Sequence, residues 1–500
     1  MNRSYIGMVF LALIVFNSYA KQSLDNPEEL LATLSLRDKI AQLIIAAAVS
    51  NEDLNREFMK QSPYRMDKSQ LEFLIKHCHI GGILFLGSGI KSEQIARTKY
   101  YQKISDIPLL VAADAEYGTG MRLRDGSIYP KNKTLAAIQD ETLLYDMGYY
   151  IGLELQQMGV HLSLGPVLDI DSNPENPVIG DRALGSNPFD VARKGTLIIK
   201  GLKSSGIMAC AKHFPGHGDT LIDSHVALPT VTKTRQELDQ LELIPFKTAI
   251  ENNVDAMMIA HIAVSAIESA PNMPGTLSKK IITEFLKEEL GFEGLIITDG
   301  LGMCGVTMHQ QSGSLELQAL LAGADILLCP RDPALAIKSI MEAVEQGRIS
   351  EEYITQKALR VLQAKKRAFA RAEQVRSSLT KDEMQNLRQK MYQQAVTLVF
   401  DKRPQMAPET TLTVVPSSRY RSENFGITSE QLQQLEQKRK DGLEITIVIF
   451  GTPWAAEFFA PYADRLIVAY EDTPETKQTV ENIIKGTFIP SGKLPIDIQI

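Results

Sequence analysis

Histidine and tryptophan are scarce in this 500-residue chain, with eight of the first and one of the second. Cysteine is scarce too: Cys78, Cys210, Cys304 and Cys329 show no paired metal-ligand spacing. Cys210 and Cys329 lie inside or at the end of apolar, strand-like runs, where cysteine usually serves as a small buried hydrophobe. The pattern G-x-S-x-G is absent, which removes the nucleophile elbow of a serine hydrolase. H-E-x-x-H is absent, and with it the common zinc-hydrolase signature. Excess positive charge is also missing. A net charge of −7 argues against nucleic acid or an anionic membrane as the main partner. A composition of 44% hydrophobic and 23% charged residues is that of a soluble globular protein. Its length exceeds one ordinary core, so two domains are expected.

The first twenty residues read as a leader rather than part of the fold. Arg3 supplies a positive start, and residues 5–16 (YIGMVFLALIVF) are apolar but too short to span a membrane comfortably. Ser18 and Ala20 then place small residues where a signal peptidase reads. Cleavage after Ala20 is expected, giving an exported, periplasmic or extracellular protein with no stable membrane insertion. A retained anchor is the competing reading.

From about residue 40 to 330 short apolar runs alternate with longer amphipathic segments. The runs fall at 41–48, 82–86, 109–113, 160–164, 206–211, 255–260, 294–298 and 324–329. Near-continuous apolar strands between helices argue for a parallel sheet covered on its outside. Eight units argue for closure into a TIM-type (β/α)8 barrel, in an α/β fold overall. An open doubly wound sheet would carry a glycine-rich phosphate loop after its first strand, and IIAAAVSNEDL has none. A helical stretch at 332–369 closes the barrel, a charged segment at 371–392 links it onward, and 393–500 alternates again as a smaller α/β sandwich. The barrel occupies 28–370.

A barrel puts its chemistry at the C-terminal ends of its strands. Asp114 follows the third run, Lys212 and His213 the fifth, His261 the sixth and Asp299 the seventh. Three of the eight histidines crowd into residues 212–225, KHFPGHGDTLIDSH, with two glycines and two aspartates. Asp223 stands two residues before His225, so its carboxylate reaches one ring nitrogen and leaves the other facing outward. Such a partner stabilises imidazolium and makes the ring a usable acid/base near neutral pH. Gly216 and Gly218 would let this loop swing over a substrate. His213, His217, Asp219, Asp223 and His225 are all potential metal ligands, but their spacing matches no zinc signature, and Lys212 beside them opposes a cation. A carboxylate nucleophile with a separate proton donor is the logic of retaining glycoside hydrolysis.

KHFPGHGDTLIDSH, with LGPVLDIDSNPENPVIGDRALGSNP and ITDGLGM, resembles the bacterial β-N-acetylhexosaminidases of glycoside hydrolase family 3. IVIFGTPW and PSGKLPIDI extend the resemblance, more weakly, into the second domain. The resemblance implies that Asp299 is the nucleophile, that His225 is the general acid/base and that Asp223 is its dyad partner. It places Asp114, Arg122, Arg182, Lys212 and His213 against the sugar. It also implies a saccharide containing N-acetylglucosamine as substrate and no metal or organic cofactor. The chain departs from the family where D-x-E-G-G-R-V is common, reading Asp114-Ala115-Glu116-Tyr117-Gly118-Thr119-Gly120-Met121. Gly300 replaces the usual Asp or Ala after the nucleophile, which would loosen the strand end. A β-glucosidase or β-xylosidase of the same family, a phosphorylase using the same histidine, and a non-catalytic saccharide-binding protein are the alternative readings. The D-S-H loop counts against the first of these.

Overall fold

The structure is a computed structural model that describes residues 24–64, 67–308, 313–375, 380–403, 409–416, 418 and 420–500. The expected leader at residues 1–20 lies outside the described residues.

Eight strands form one parallel sheet: β1 Ile44–Val49, β2 Gly82–Leu86, β3 Leu110–Ala113, β4 Leu162–Ser163, β5 Met208–Phe214, β6 Ala256–Ile259, β7 Leu295–Thr298 and β8 Leu327–Leu328. Their order is β8-β1-β2-β3-β4-β5-β6-β7, and a bridge between Ile297 and Ile326 brings the two edges together into the barrel. Nearly every strand residue is buried, because side chains on one face fill the barrel and those on the other meet helices. Helices such as Thr142–Gln157 and Pro188–Ser204 form that outer layer. Asn187 caps the second of these, and Pro188 begins it at the position where a missing N–H costs nothing.

The stretch expected to be helical at 332–369 is two helices, Pro333–Glu345 and Glu351–Gln374. Gly347 stands between them with φ +70, and Ser350 caps the second. The second helix crosses the N-terminal mouth of the barrel. There Lys365 Nζ donates to Gln42 Oε1 at 2.6 Å and to the Pro108 carbonyl at 2.9 Å. Lys357 and Arg360 hold Asp325, and Phe369 stacks on His161. The polar groups at this end are thus spoken for by the closing helix. Those at the opposite end are not.

In the second domain, β9 (Thr397–Asp401), β10 (Glu409–Val414), β11 (Glu444–Ile449) and β12 (Arg465–Val468) make a sheet in the order β9-β12-β11-β10. β9 runs antiparallel to its neighbour and the other pairs are parallel. The segment before it contains the helix Lys381–Ala395, whose Leu387, Met391 and Tyr392 are buried. The second domain grips the barrel by polar contacts. Glu471 accepts from the Lys131 amide and the Thr134 hydroxyl, and the Trp454 indole donates to Asp171 at 2.8 Å.

Candidate active site

A cavity of about 790 Å³ opens at the C-terminal ends of the strands. Asp114, Arg122, Arg182, Lys212, His213, His225 and Asp299 all line it, as do Glu116, Tyr64 and Arg331. Asp223 stands behind His225. His261 does not reach the cavity: its Nε2 donates to the Gly300 carbonyl at 3.0 Å, and its Nδ1 meets the Thr276 hydroxyl at 2.6 Å.

Consecutive strand residues ordinarily face opposite sides, yet Lys212 and His213 both line the cavity. The register between β5 and β6 shifts between Ala211 and Phe214, and such an irregularity re-aims side chains at a barrel rim. Lys212 Nζ then sits 2.8 Å from Glu116 and 3.3 Å from Asp114. Arg182 clasps Glu116 through two bonds, at 2.7 and 3.0 Å, and Arg122 donates to Asp114 at 2.7 Å. Burial by itself raises both carboxyls, but the cations more than offset it and hold each below the ordinary carboxylate range. The result is a floor of fixed donors and acceptors, suited to a polyhydroxylated ligand.

Asp169, fully buried just beyond β4, organises the β5 end. It accepts from His213 Nδ1 at 2.6 Å and from the His217 amide at 2.7 Å. The proton on His213 Nδ1 leaves Nε2 as the acceptor, facing Arg182 Nη2 at 3.4 Å. His217 is buried between the Thr220 hydroxyl, 2.9 Å from Nδ1, and the Ser224 hydroxyl, 3.1 Å from Nε2. Burial lowers it to about 4, so it is a neutral bridge across the loop.

Asp299 accepts from the Gly300 amide at 2.7 Å. Burial pushes its carboxyl up, but the His261 and His213 imidazoles and that amide bring it down to about 2. It is ionised at any working pH. Gly300, expected to loosen the strand end, serves a close approach there. A Cβ there would stand 2.3 Å from the Tyr64 hydroxyl, so the missing side chain is what admits Tyr64 over the cavity.

Across the mouth, His225 Nδ1 lies 2.7 Å from Asp223 Oδ1, which also accepts from the His225 amide at 2.8 Å. The ring is 62% exposed, so Nε2 is free to meet a ligand. Burial raises the Asp223 carboxyl, but the His225 amide and ring bring it below its ordinary value. Gly216 and Gly218, expected as swivels, have a packing role. Gly216 adopts φ +128, and a Cβ on Gly218 would fall 1.8 Å from the Ile170 carbonyl, so these glycines let the loop's base press against its neighbours. The solvent-facing part is further on, where Leu221, Ile222 and Val226 are exposed.

Residues 35–364 match the glycosyl hydrolase family 3 N-terminal domain. The chain belongs to glycosyl hydrolase family 3. The Beta-hexosaminidase of Alkalilimnicola ehrlichii is 35% identical over 277 residues, covering 53% of this chain and 78% of that one. Beta-hexosaminidase A of Pseudoalteromonas piscicida is 29% identical over 338 residues, and the match spans 59% of this chain but only 55% of the relative. Among solved structures, a glycoside hydrolase family 3 β-N-acetylglucosaminidase from Paenibacillus superposes with a TM-score of 0.75 at 29% identity, over 93% of this chain and 99% of the other.

In this family 3 glycoside hydrolase the potential metal ligands do not converge. His213 is turned to Asp169, His217 to Thr220 and Ser224, Asp219 to Lys233, and Asp223 to His225. Asp169, Tyr64 and Arg331 were not singled out from the sequence, nor was Asn176, a buried amide beyond β4 that donates to the His217 carbonyl at 2.9 Å. Asp169 carried a legible cue, since it interrupts the otherwise apolar VLDI just after the fourth run. Tyr64 and Arg331 carried none, because nothing local marks which loop residues fold over a barrel mouth.

Proposed function

We propose that this family 3 enzyme is a retaining exo-β-N-acetylglucosaminidase, acting on peptidoglycan fragments or chitin-type oligosaccharides. The observation that carries the reading is the pairing, at one mouth, of an ionised buried carboxylate with an Asp-supported imidazole on a separate loop. Asp299 attacks the anomeric carbon while His225 Nε2 gives its proton to the departing oxygen. The bond to the leaving sugar breaks as an ester forms to Asp299. His225, now neutral, takes a proton from water, and that water displaces Asp299 with the original configuration restored. Asp223 stabilises the imidazolium at both proton transfers. Lys212, Arg182, Arg122, Asp114 and His213 hold the sugar hydroxyls.

The relatives' names, Beta-hexosaminidase and β-N-acetylglucosaminidase, favour the acetamido sugar. The leader expected at residues 1–20 favours action outside the cytoplasm, where cell-wall sugars are abundant. Purified protein tested on a panel of aryl β-glycosides, with and without phosphate, checks this. N-acetylglucosaminides are expected to be cleaved well ahead of glucosides and xylosides, releasing free sugar. A preference for glucosides would overturn the substrate assignment, and sugar 1-phosphate as the main product would make the enzyme a phosphorylase.

A further inference from the structure

The loop bearing Asp223 and His225 is held by more than the barrel wall. Its internal brace is His217, which ties Thr220 to Ser224, the residue between the two dyad members. That brace is in turn held by the segment following β4. Asn176, buried there, donates through Nδ2 to the His217 carbonyl at 2.9 Å, the Gly218 carbonyl at 2.9 Å and the Thr220 hydroxyl at 3.2 Å. Asp169 accepts from the His217 amide, and the Ile170 carbonyl packs against Gly218 too closely for any side chain.

Residues 169–176, the run that holds the loop, also reach the second domain, through Asp171 and Glu175. Asp171 accepts from the Trp454 indole at 2.8 Å, backed by Lys133 at 2.5 Å. Glu175 accepts from the Ser422 amide at 3.1 Å and the Ser422 hydroxyl at 2.6 Å. So 169 and 176 hold the dyad loop while 171 and 175 hold the second domain, in one short run of chain. Neither Trp454 nor Ser422 lines the cavity.

We propose that the second domain positions the proton-donating loop, with Trp454 and Ser422 as positioning residues acting through Asp171, Glu175 and Asn176. This rests on the assignment of His225 above. Proton donation demands a narrow placement of Nε2, and misplacement by about 1 Å costs up to about a hundredfold in rate. A polar strut that fixes the base of an otherwise exposed loop supplies that placement without contributing an atom to the cavity.

The test uses the full chain and two substrates, an N-acetylglucosaminide with a dinitrophenyl leaving group and chitobiose, whose leaving oxygen needs a proton. Trp454→Phe combined with Glu175→Ala removes the indole N–H and the carboxylate that accepts both the amide and the hydroxyl of Ser422, so both links to the second domain are broken. Asn176→Asp keeps the size and replaces the loop-holding amide with a carboxylate that the His217 and Gly218 carbonyls repel. In both variants kcat/KM on chitobiose is expected to fall about tenfold further than on the activated substrate, with melting temperature recorded alongside. Equal losses on the two substrates, or no loss in either variant, would overturn the strut while leaving His225 in its role. If His225→Ala itself shows no such selectivity, the acid/base reading fails and the strut fails with it.

Discussion

In the proposed mechanism Asp223 and His225 divide one task. The carboxylate holds Nδ1, and the ring would offer Nε2 to a leaving group. His225→Ala is expected to lose about a hundredfold to ten-thousandfold in kcat/KM on poorly activated leaving groups, and little on dinitrophenyl glycosides, which depart without a proton. Asp223→Asn should follow the same pattern, because an amide cannot stabilise imidazolium. A Brønsted plot over a series of aryl leaving groups checks both, and an unchanged slope would disqualify His225 as the donor. Gly300 makes a second claim at this scale. Gly300→Ala sets a Cβ 2.3 Å from the Tyr64 hydroxyl, which must move. Activity is expected to drop in Gly300→Ala and to recover in part when Tyr64→Phe is added, since the ring carbon left behind is 3.4 Å away. A double variant no better than the single one would show that Tyr64 is not the obstacle.

The elements that carry the site were unequally visible beforehand. β5 and its loop were legible because histidine is rare and the motif gathers it. β7 was legible because an aspartate ends an apolar run. The β4 segment was not, since Asp171, Glu175 and Asn176 act on residues far off in sequence and their partners appear only on folding. The glycines of the β5 loop were ambiguous for a related reason: a glycine needed for close approach looks, in sequence, like one needed for movement. The distinction is measurable. Gly218→Ala is expected to cost about 1–3 kcal/mol in stability, the range for forcing added atoms into a packed site, and to weaken catalysis as the loop base shifts. Denaturant melts of the variant alongside its kinetics test this, and an unperturbed protein would restore the swivel reading.

Over the whole molecule, the barrel was legible because its strands are continuous apolar runs between helices, and the order of polar strand ends followed. The break at Gly347 and the packing of the helix Lys381–Ala395 were not, because charged amphipathic sequence does not reveal which partner its apolar face will find. Global stability should bear the mark of buried imidazoles. His217 is lowered by burial to about 4 and His161 to about 3, against about 6.5 in the unfolded chain. Between those limits the unfolded state binds more protons, so stability rises with pH and falls on acidification from 6.5 toward 4. Denaturation midpoints across that window should show the slope, and His217→Asn should flatten it; an identical slope would place the uptake elsewhere. The proposed mechanism turns on one covalent bond. A 2-fluoro or 5-fluoro glycosyl inactivator, followed by proteolysis and mass spectrometry, should leave its sugar on Asp299. A sugar found on Asp114 or Glu116, or an enzyme that turns over without ever carrying one, would contradict it.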